Sequence, residues 1–315
     1  MLNRMKPVYV INGFLESGKT SFIKEILEDH EFTEGKKVLV ICCEEGVEEY
    51  EEEVLADGNA VLVTVESPEE LTTDFLKQLQ RQHRQKLTIF EYNGMWKIEK
   101  LLEVLPKNWP VVQTFTMIDA STFEMYLSNM RSIMMELVKL SDVVIFNRCT
   151  KDTKKGSLRR AVKAANRQVQ IIYESIDGSD EDDDEDDLPF DLTADTIEIE
   201  DDDYGLWYLD AMDHPEKYDG KTVRFTAMVY RGDKLPQGYF VPGRFAMTCC
   251  AEDVTFVGFL CKSQFADKLR QKEFIKLTAT VKTETRREYQ GPGPVLTAVK
   301  IEKAEKPEEE LVYFT

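Results

Sequence analysis

From Lys6 to about Tyr173 the chain alternates short apolar runs with amphipathic stretches. "VYVI", "KVLVICC", "AVLVTV", "LTIFEY", "VVQTFTMID", "DVVIFN" and "VQIIY" read as seven strands, and the stretches between them carry apolar residues at helical spacing, as Phe22, Ile23, Ile26 and Leu27 do. Strands alternating with helices predict an α/β unit with a mainly parallel sheet covered on both faces. After about residue 220 the period changes to two. Val223, Phe225, Ala227 and Val229 alternate with Arg224, Thr226, Met228 and Tyr230, and Ile275, Leu277, Ala279 and Val281 alternate in the same way. With "FVGFLCK" and "GPVLTAVKIEKAE" these half-buried strands predict a small antiparallel β domain, a barrel of the OB type. "YGLWYLDAMDHPEKYDG" precedes it as a short helical region closed by an Asp-Gly turn, with Trp207 packing into the β domain.

Between the two patterns lies "DGSDEDDDEDDLPFD", with eight consecutive acidic residues from Asp180 to Asp187. Self-repulsion and the want of apolar residues predict a solvated, disordered linker, with weak capture of cations as the functional alternative. The expected organisation is residues 1–176 for the α/β domain, 177–203 for the linker and 204–315 for the β domain.

The 315 residues suffice for about two domains, and the formal net charge of −19 with no basic stripe excludes a nucleic-acid partner. No apolar run approaches the roughly 20 residues of a membrane span, and the start shows no signal-peptide cleavage region, so a cytoplasmic protein is expected. Six cysteines, four of them in two adjacent pairs, are then expected as reduced thiols, open to metals or simply buried.

The stretch "VINGFLESGKTSF" carries the chemistry. Gly13, Gly18, Lys19 and Thr20 fill the G-x-x-x-x-G-K-[ST] pattern, in which backbone N–H groups surround phosphates, the lysine reaches the terminal ones and the hydroxyl ligates Mg²⁺. The pattern also arises as a Gly-rich turn with an accidental lysine. Here a strand precedes it and a helix follows, which places the phosphates at a helix N-terminus. Glu16, Ser17 and Ser21 complete the expected nucleotide-binding stretch. A carboxylate at a neighbouring strand end is also needed, and Glu91 of "FEYNG" supplies it; Asn147 and Arg148 end a later strand, where a base-gripping loop lies.

Taken in order, "GFLESGKTS", "FEYNG", "TMIDASTF" and "SDVVIFNRC" resemble the CobW-like family of P-loop GTPases, metal chaperones and metallocentre insertion factors, over about residues 5–175. The resemblance implies a P-loop NTPase fold, with Lys19 on the β and γ phosphates, Thr20 on Mg²⁺, Glu91 aiding Mg²⁺ or water, and Asn147 on the base. It places a switch segment at "CEEGVEEY", where Glu44 and Gly46 match the family's Asn-Glu-Phe-Gly and Cys43 and Glu45 depart from it.

Two further departures stand out. The family's base loop is Asn-Lys-x-Asp, whose aspartate selects guanine, whereas this chain has Asn147-Arg148-Cys149-Thr150, so GTP follows from the resemblance while ATP stays open. The family's Cys-x-Cys-Cys is absent from "GNAVLVTVESPEEL". Cys42 and Cys43 are then the nearby thiols for zinc or another transition metal, although adjacent strand residues face opposite ways and one of them belongs in the core. Cys249 and Cys250, with Cys261 a hairpin away and His214 or Asp253 in reach, form the second candidate metal set, against buried structural cysteine.

The second half, about residues 204–302 with "RFAMTCCAED" as its most specific part, resembles the C-terminal domain of YcgQ-like proteins, soluble subunits paired with a bacterial membrane permease. Together the resemblances imply GTP hydrolysis with Mg²⁺, coupled to metal delivery or to control of a metal-related transporter, with a metalloprotein client, a permease subunit or a second copy as partner. A nucleotide-gated scaffold without turnover and an ATP-dependent accessory factor are the alternatives. His30 and His83 lie on polar helical stretches and read as solvated.

Overall fold

A computed structural model describes residues 5–44, 46–176, 188–232, 235–248, 253–289 and 291–314. They form two compact units, one from the residues before 159 with 165–176, the other from 188–314 with 159–164.

The first unit runs β1 (Val8–Asn12), α1 (Lys19–Glu28), α2 (His30–Thr33), β2 (Val38–Cys42), α3 (Glu52–Asp57), β3 (Ala60–Thr64), α4 (Thr73–His83) and β4 (Leu87–Glu91). It continues through α5 (Ile98–Val104), β5 (Val111–Asp119), α6 (Phe123–Asn129), α7 (Arg131–Lys139), β6 (Val143–Cys149), α8 (Lys155–Ala165) and β7 (Gln170–Ser175). All seven strands are parallel, in the order β3-β2-β4-β1-β5-β6-β7. Each coincides with one of the seven apolar runs. Burial is continuous along β2 and β4, as in strands covered on both faces.

Two apolar clusters cover the sheet. Ile23, Ile26 and Leu27 of α1 pack on Val38, Val40, Ile89 and Met117. Leu76 and Leu79 of α4, Leu101 of α5 and Trp109 pack with Val8, Leu39, Ile41 and Phe90. Because β1 lies between β4 and β5, the loops that leave these three strands at their C-terminal ends converge, and the candidate site stands there.

The second unit runs β8 (Ile197–Glu198), α9 (Tyr204–Asp213), a single-turn helix at Pro215–Tyr218, β9 (Thr222–Tyr230), β10 (Tyr239–Met247), β11 (Val254–Gly258) and β12 (Leu260–Lys262). It ends with β13 (Phe274–Arg286), β14 (Gly291–Lys303) and β15 (Leu311–Val312). The pairs β9–β10, β10–β12, β13–β14 and β9–β13 are antiparallel and β12–β14 is parallel, which closes a five-strand circuit into a barrel-like sheet. Val223, Phe225, Ala227 and Val229 face its core with Ile275, Leu277, Ala279 and Val281, as their alternation requires. Trp207 is fully buried there, 4.7 Å from Phe225 and 5.2 Å from Phe259, centroid to centroid.

Two differences from the sequence reading have simple causes. "FVGFLCK" is not one strand: β11 pairs with the distal part of β10 and β12 with Tyr239 and Phe240, so the chain turns at Phe259, whose ring goes into the core. Residues 188–203, read as part of the linker, pack into the second unit: Phe190, Ile197 and Ile199 are buried and β8 pairs with β9. The acidic residues around them masked three isolated apolar positions. The acidic run from Asp180 to Asp187 lies outside the described residues, as do Cys249 and Cys250.

Candidate functional site

Residues 13–18 join β1 to α1 as a loop that wraps the helix N-terminus. Gly18 is the N-cap of α1 with φ 91°, a left-handed conformation that glycine takes at no steric cost, and it provides no capping side chain. The first N–H groups of this ten-residue helix therefore face the hollow beside the loop. A methyl group on Gly18 would overlap Asn147 Nδ2, and one on Gly94 would overlap the Gly13 carbonyl. The glycine of "FEYNG" thus lets the turn after β4 press against the phosphate loop. Glu16 also has a left-handed φ of 61° without being glycine.

Lys19 and Thr20 begin α1 and are both buried. Lys19 Nζ donates to the carbonyls of Gly13 (3.0 Å) and Phe14 (2.7 Å) and forms an ion pair with Glu44 Oε2 at 2.7 Å. Thr20 Oγ1 donates to Glu91 Oε1 at 2.7 Å. The other oxygen of Glu91 accepts from the Tyr50 hydroxyl at 2.5 Å and lies 3.4 Å from Cys42 Sγ. Lys19, Thr20, Glu44, Glu48 and Glu91 line an open hollow of about 730 Å³.

On the opposite side of the loop, Asn147 Nδ2 donates to the Ser17 carbonyl (2.8 Å). Arg148 Nη1 donates to the Glu16 carbonyl (3.0 Å) and to Asp119 Oδ2 (2.6 Å). Burial pushes the Asp119 carboxyl up, but hydrogen bonds from Ser121 and Arg148 outweigh it and hold the group below its usual range. Thr150, in the place of the base-reading aspartate, donates its N–H to the Thr153 hydroxyl at 2.8 Å. Ser21 donates to Glu48 Oε2 at 2.5 Å, and that hydrogen bond, with Lys24 in support, keeps Glu48 below the usual carboxylate range.

These arrangements bring together the expected Gly13, Glu16, Ser17, Gly18, Lys19, Thr20, Ser21, Glu91, Asn147 and Arg148. Residues 7–173 match the family CobW/HypB/UreG, nucleotide-binding domain. The chain belongs to this family. Residues 177–314 match a second family, the DUF1980 C-terminal domain, so both halves of the resemblance have their counterpart. No curated protein matches.

Among solved structures, the Zn(II)-bound YjiA GTPase from E. coli is 19% identical with a TM-score of 0.42, covering 53% of this chain and 57% of that one. The hydrogenase maturation factor HypB from Archaeoglobus fulgidus is 12% identical with a TM-score of 0.39, covering 56% and 83%. This chain thus spans little more than half the length of the YjiA protein it resembles.

CobW/HypB/UreG membership implies Mg²⁺, the sequence reading added zinc or another transition metal, and the residues suit the two unequally. Thr20 Oγ1 and Glu91 Oε1 present two hard oxygens at the head of α1, which fits Mg²⁺. Cys42 and Cys43 do not fit zinc. Cys43 is packed in the core between the sheet and α4, and Cys42 turns the other way, toward Glu91, as adjacent strand residues must. Burial, with Glu91 nearby, pushes the Cys42 thiol up to about 12, and burial raises Cys43 as well, so neither is a ready thiolate. Among the described residues no three His, Cys, Asp or Glu side chains are placed to hold a metal. Cys261 is buried in the barrel core.

Sequence reasoning overlooked Tyr50 and Asp119. Both stand in stretches singled out as motifs, but their partners, Glu91 and Arg148, are 41 and 29 positions away and only the fold joins them.

Proposed function

We propose that the protein is a Mg²⁺-dependent nucleoside triphosphate hydrolase acting on GTP. The observation that carries this reading is the convergence of Lys19, Thr20 and Glu91 at the N-terminus of α1.

In this reading the phosphates lie along residues 13–20, where the α1 N–H groups and the Lys19 ammonium face the negative charge that grows on the γ phosphate during in-line attack by water. Lys19 must exchange its Glu44 partner for phosphate oxygen to do so. Thr20 and Glu91 would hold Mg²⁺, which would supply neutralisation of the negative charge on the phosphates. Glu91 Oε2, which accepts from Tyr50, is the oxygen turned away from Thr20 and orients the attacking water. Glu16, Ser17 and Ser21 complete the phosphate cradle, and Asn147 and Arg148 flank the base.

Hydrolysis is proposed to drive delivery of a transition metal, or control of a metal-related transporter, in the cytoplasm. Membership in a family that includes HypB and UreG supports this, with a metalloprotein client, a permease subunit or a second copy as partner. We read the second unit as an OB-type domain on its five-strand circuit with one parallel pair, joined by the acidic segment and docking the client. Cys249 and Cys250 are the thiols proposed to carry zinc. Among the described residues no helix is long and apolar enough to cross a membrane.

A second reading, ATP as substrate, is favoured by Thr150, since a hydroxyl cannot accept the paired hydrogen bonds from guanine N1 and N2 that a carboxylate accepts. Equilibrium competition of GTP and ATP against a fluorescent nucleotide with Mg²⁺, on the native chain and on Lys19→Ala, separates them. GTP ahead by tenfold with loss in the variant supports the first reading; ATP ahead supports the second. Tight binding without phosphate release leaves a nucleotide-gated scaffold.

A further inference from the structure

The segment that follows β2 is strapped across the phosphate hollow. Glu44 pairs with Lys19, Glu48 accepts from Ser21 and Lys24, and Glu51 pairs with Lys24 at 2.8 Å. Tyr50 lies near the end of this strap. Its ring packs against the apolar cluster beneath α1, which anchors the side chain by burial alone. Its hydroxyl goes further and donates to Glu91 Oε2, while Thr20 holds Oε1 from α1.

The final torsion of a glutamate is broad and roughly two-fold, so a carboxylate bonded through one oxygen can swing. With both oxygens engaged from two different elements, Glu91 is held in one plane. The strap that supplies one of these donors is the same strap that places Glu44 on Lys19. The geometry joins the two sides of the phosphate hollow through one short segment.

We propose that Tyr50 is a positioning residue for nucleotide hydrolysis: its hydroxyl fixes the plane of the Glu91 carboxylate that, with Thr20, receives Mg²⁺ and faces the attacking water. The inference rests on the hydrolase reading above. The ring and the hydroxyl have separable duties, and Tyr50→Phe removes only the second.

The test uses the full chain and three readouts. A fluorescent GTP analogue is titrated at a series of Mg²⁺ concentrations, phosphate release yields kcat and KM, and urea unfolding reports stability. For Tyr50→Phe the Mg²⁺ concentration at half-maximal nucleotide binding is expected to rise at least threefold. At saturating Mg²⁺ the nucleotide affinity stays within twofold, and kcat falls about tenfold with KM unchanged. A lower urea midpoint with unchanged Mg²⁺ dependence and kcat makes the hydroxyl merely structural and overturns the proposal. If the native chain binds nucleotide but releases no phosphate, the hydrolase reading fails, and the Mg²⁺ midpoint alone still decides whether Tyr50 positions Glu91. No nucleotide binding by the native chain overturns both.

Discussion

The buried Lys19 ammonium and the Glu44 carboxylate form an ion pair, Nζ to Oε2 at 2.7 Å, at the head of α1. Glu44 thereby holds, by charge and position, the contact that a phosphate oxygen makes with a P-loop lysine. Nucleotide affinity is then the difference between two partners for one cation. Glu44→Gln removes the competing charge and its repulsion of phosphate, and is expected to tighten nucleotide binding about tenfold, ~1.4 kcal/mol. It also lowers the urea midpoint of the nucleotide-free protein, because the buried Lys19 charge loses its counter-charge and keeps only neutral acceptors. Titration with a fluorescent nucleotide checks the first effect; unchanged affinity would mean that the strap leaves Lys19 without cost.

Glycine and glutamate in the phosphate loop should respond in opposite ways to substitution. Gly18→Ala puts a methyl group on Asn147 Nδ2 at φ 91° and is expected to abolish measurable nucleotide binding or to cost more than about 2 kcal/mol of stability. Glu16→Gly relieves a left-handed glutamate and is expected to be neutral or to stabilise by up to about 1 kcal/mol. Urea unfolding of both variants tests the pair, and a destabilised Glu16→Gly would show that the glutamate side chain has a binding partner worth more than the strain.

The Asp119–Arg148 contact predicts a pH dependence. Asp119 has a folded pKa below its unfolded value of about 3.9, so its contribution is complete above that pH and is lost as pH falls through the folded value. Arg148 is partly exposed, which keeps the contribution small, about 1 kcal/mol or less. In a urea series from pH 7 to pH 3, Asp119→Asn is expected to be less stable than the native chain at pH 7 and to approach it at pH 3. Parallel curves would assign the acid sensitivity to other carboxylates.

The second unit depends on Trp207, which touches Tyr204, Phe225 and Phe259 in the barrel core. Trp207→Ala is expected to cost about 3–5 kcal/mol in that unit. Calorimetry should show one transition shifted down and nucleotide binding retained; loss of binding would show that the first unit needs the second.

Much of this protein was legible from periodicity and spacing alone. All seven parallel strands coincide with apolar runs, since a strand covered on both faces has to be apolar throughout. The inward faces of β9 and β13 follow from period two, and the phosphate loop from Gly13, Gly18, Lys19 and Thr20 at their spacing. Local rules sufficed because the constraints they describe are local: pleat, helical turn and backbone N–H direction.

What only the tertiary structure decided concerns partners far apart in the chain. That β1 stands beside β4, bringing Glu91 to Thr20, and β6 beside β5, bringing Arg148 to Asp119, is a matter of strand order, which no short pattern encodes. The roles of Glu44 and Tyr50 arise from a strap folding over the hollow. The burial of Phe190, Ile197 and Ile199 depends on a barrel surface built by residues further along. Cys42 and Cys43 were open to metal by residue type, and the surroundings of β2 turned one toward Glu91 and the other into the core, because a side chain's chemistry is set by what the fold packs around it.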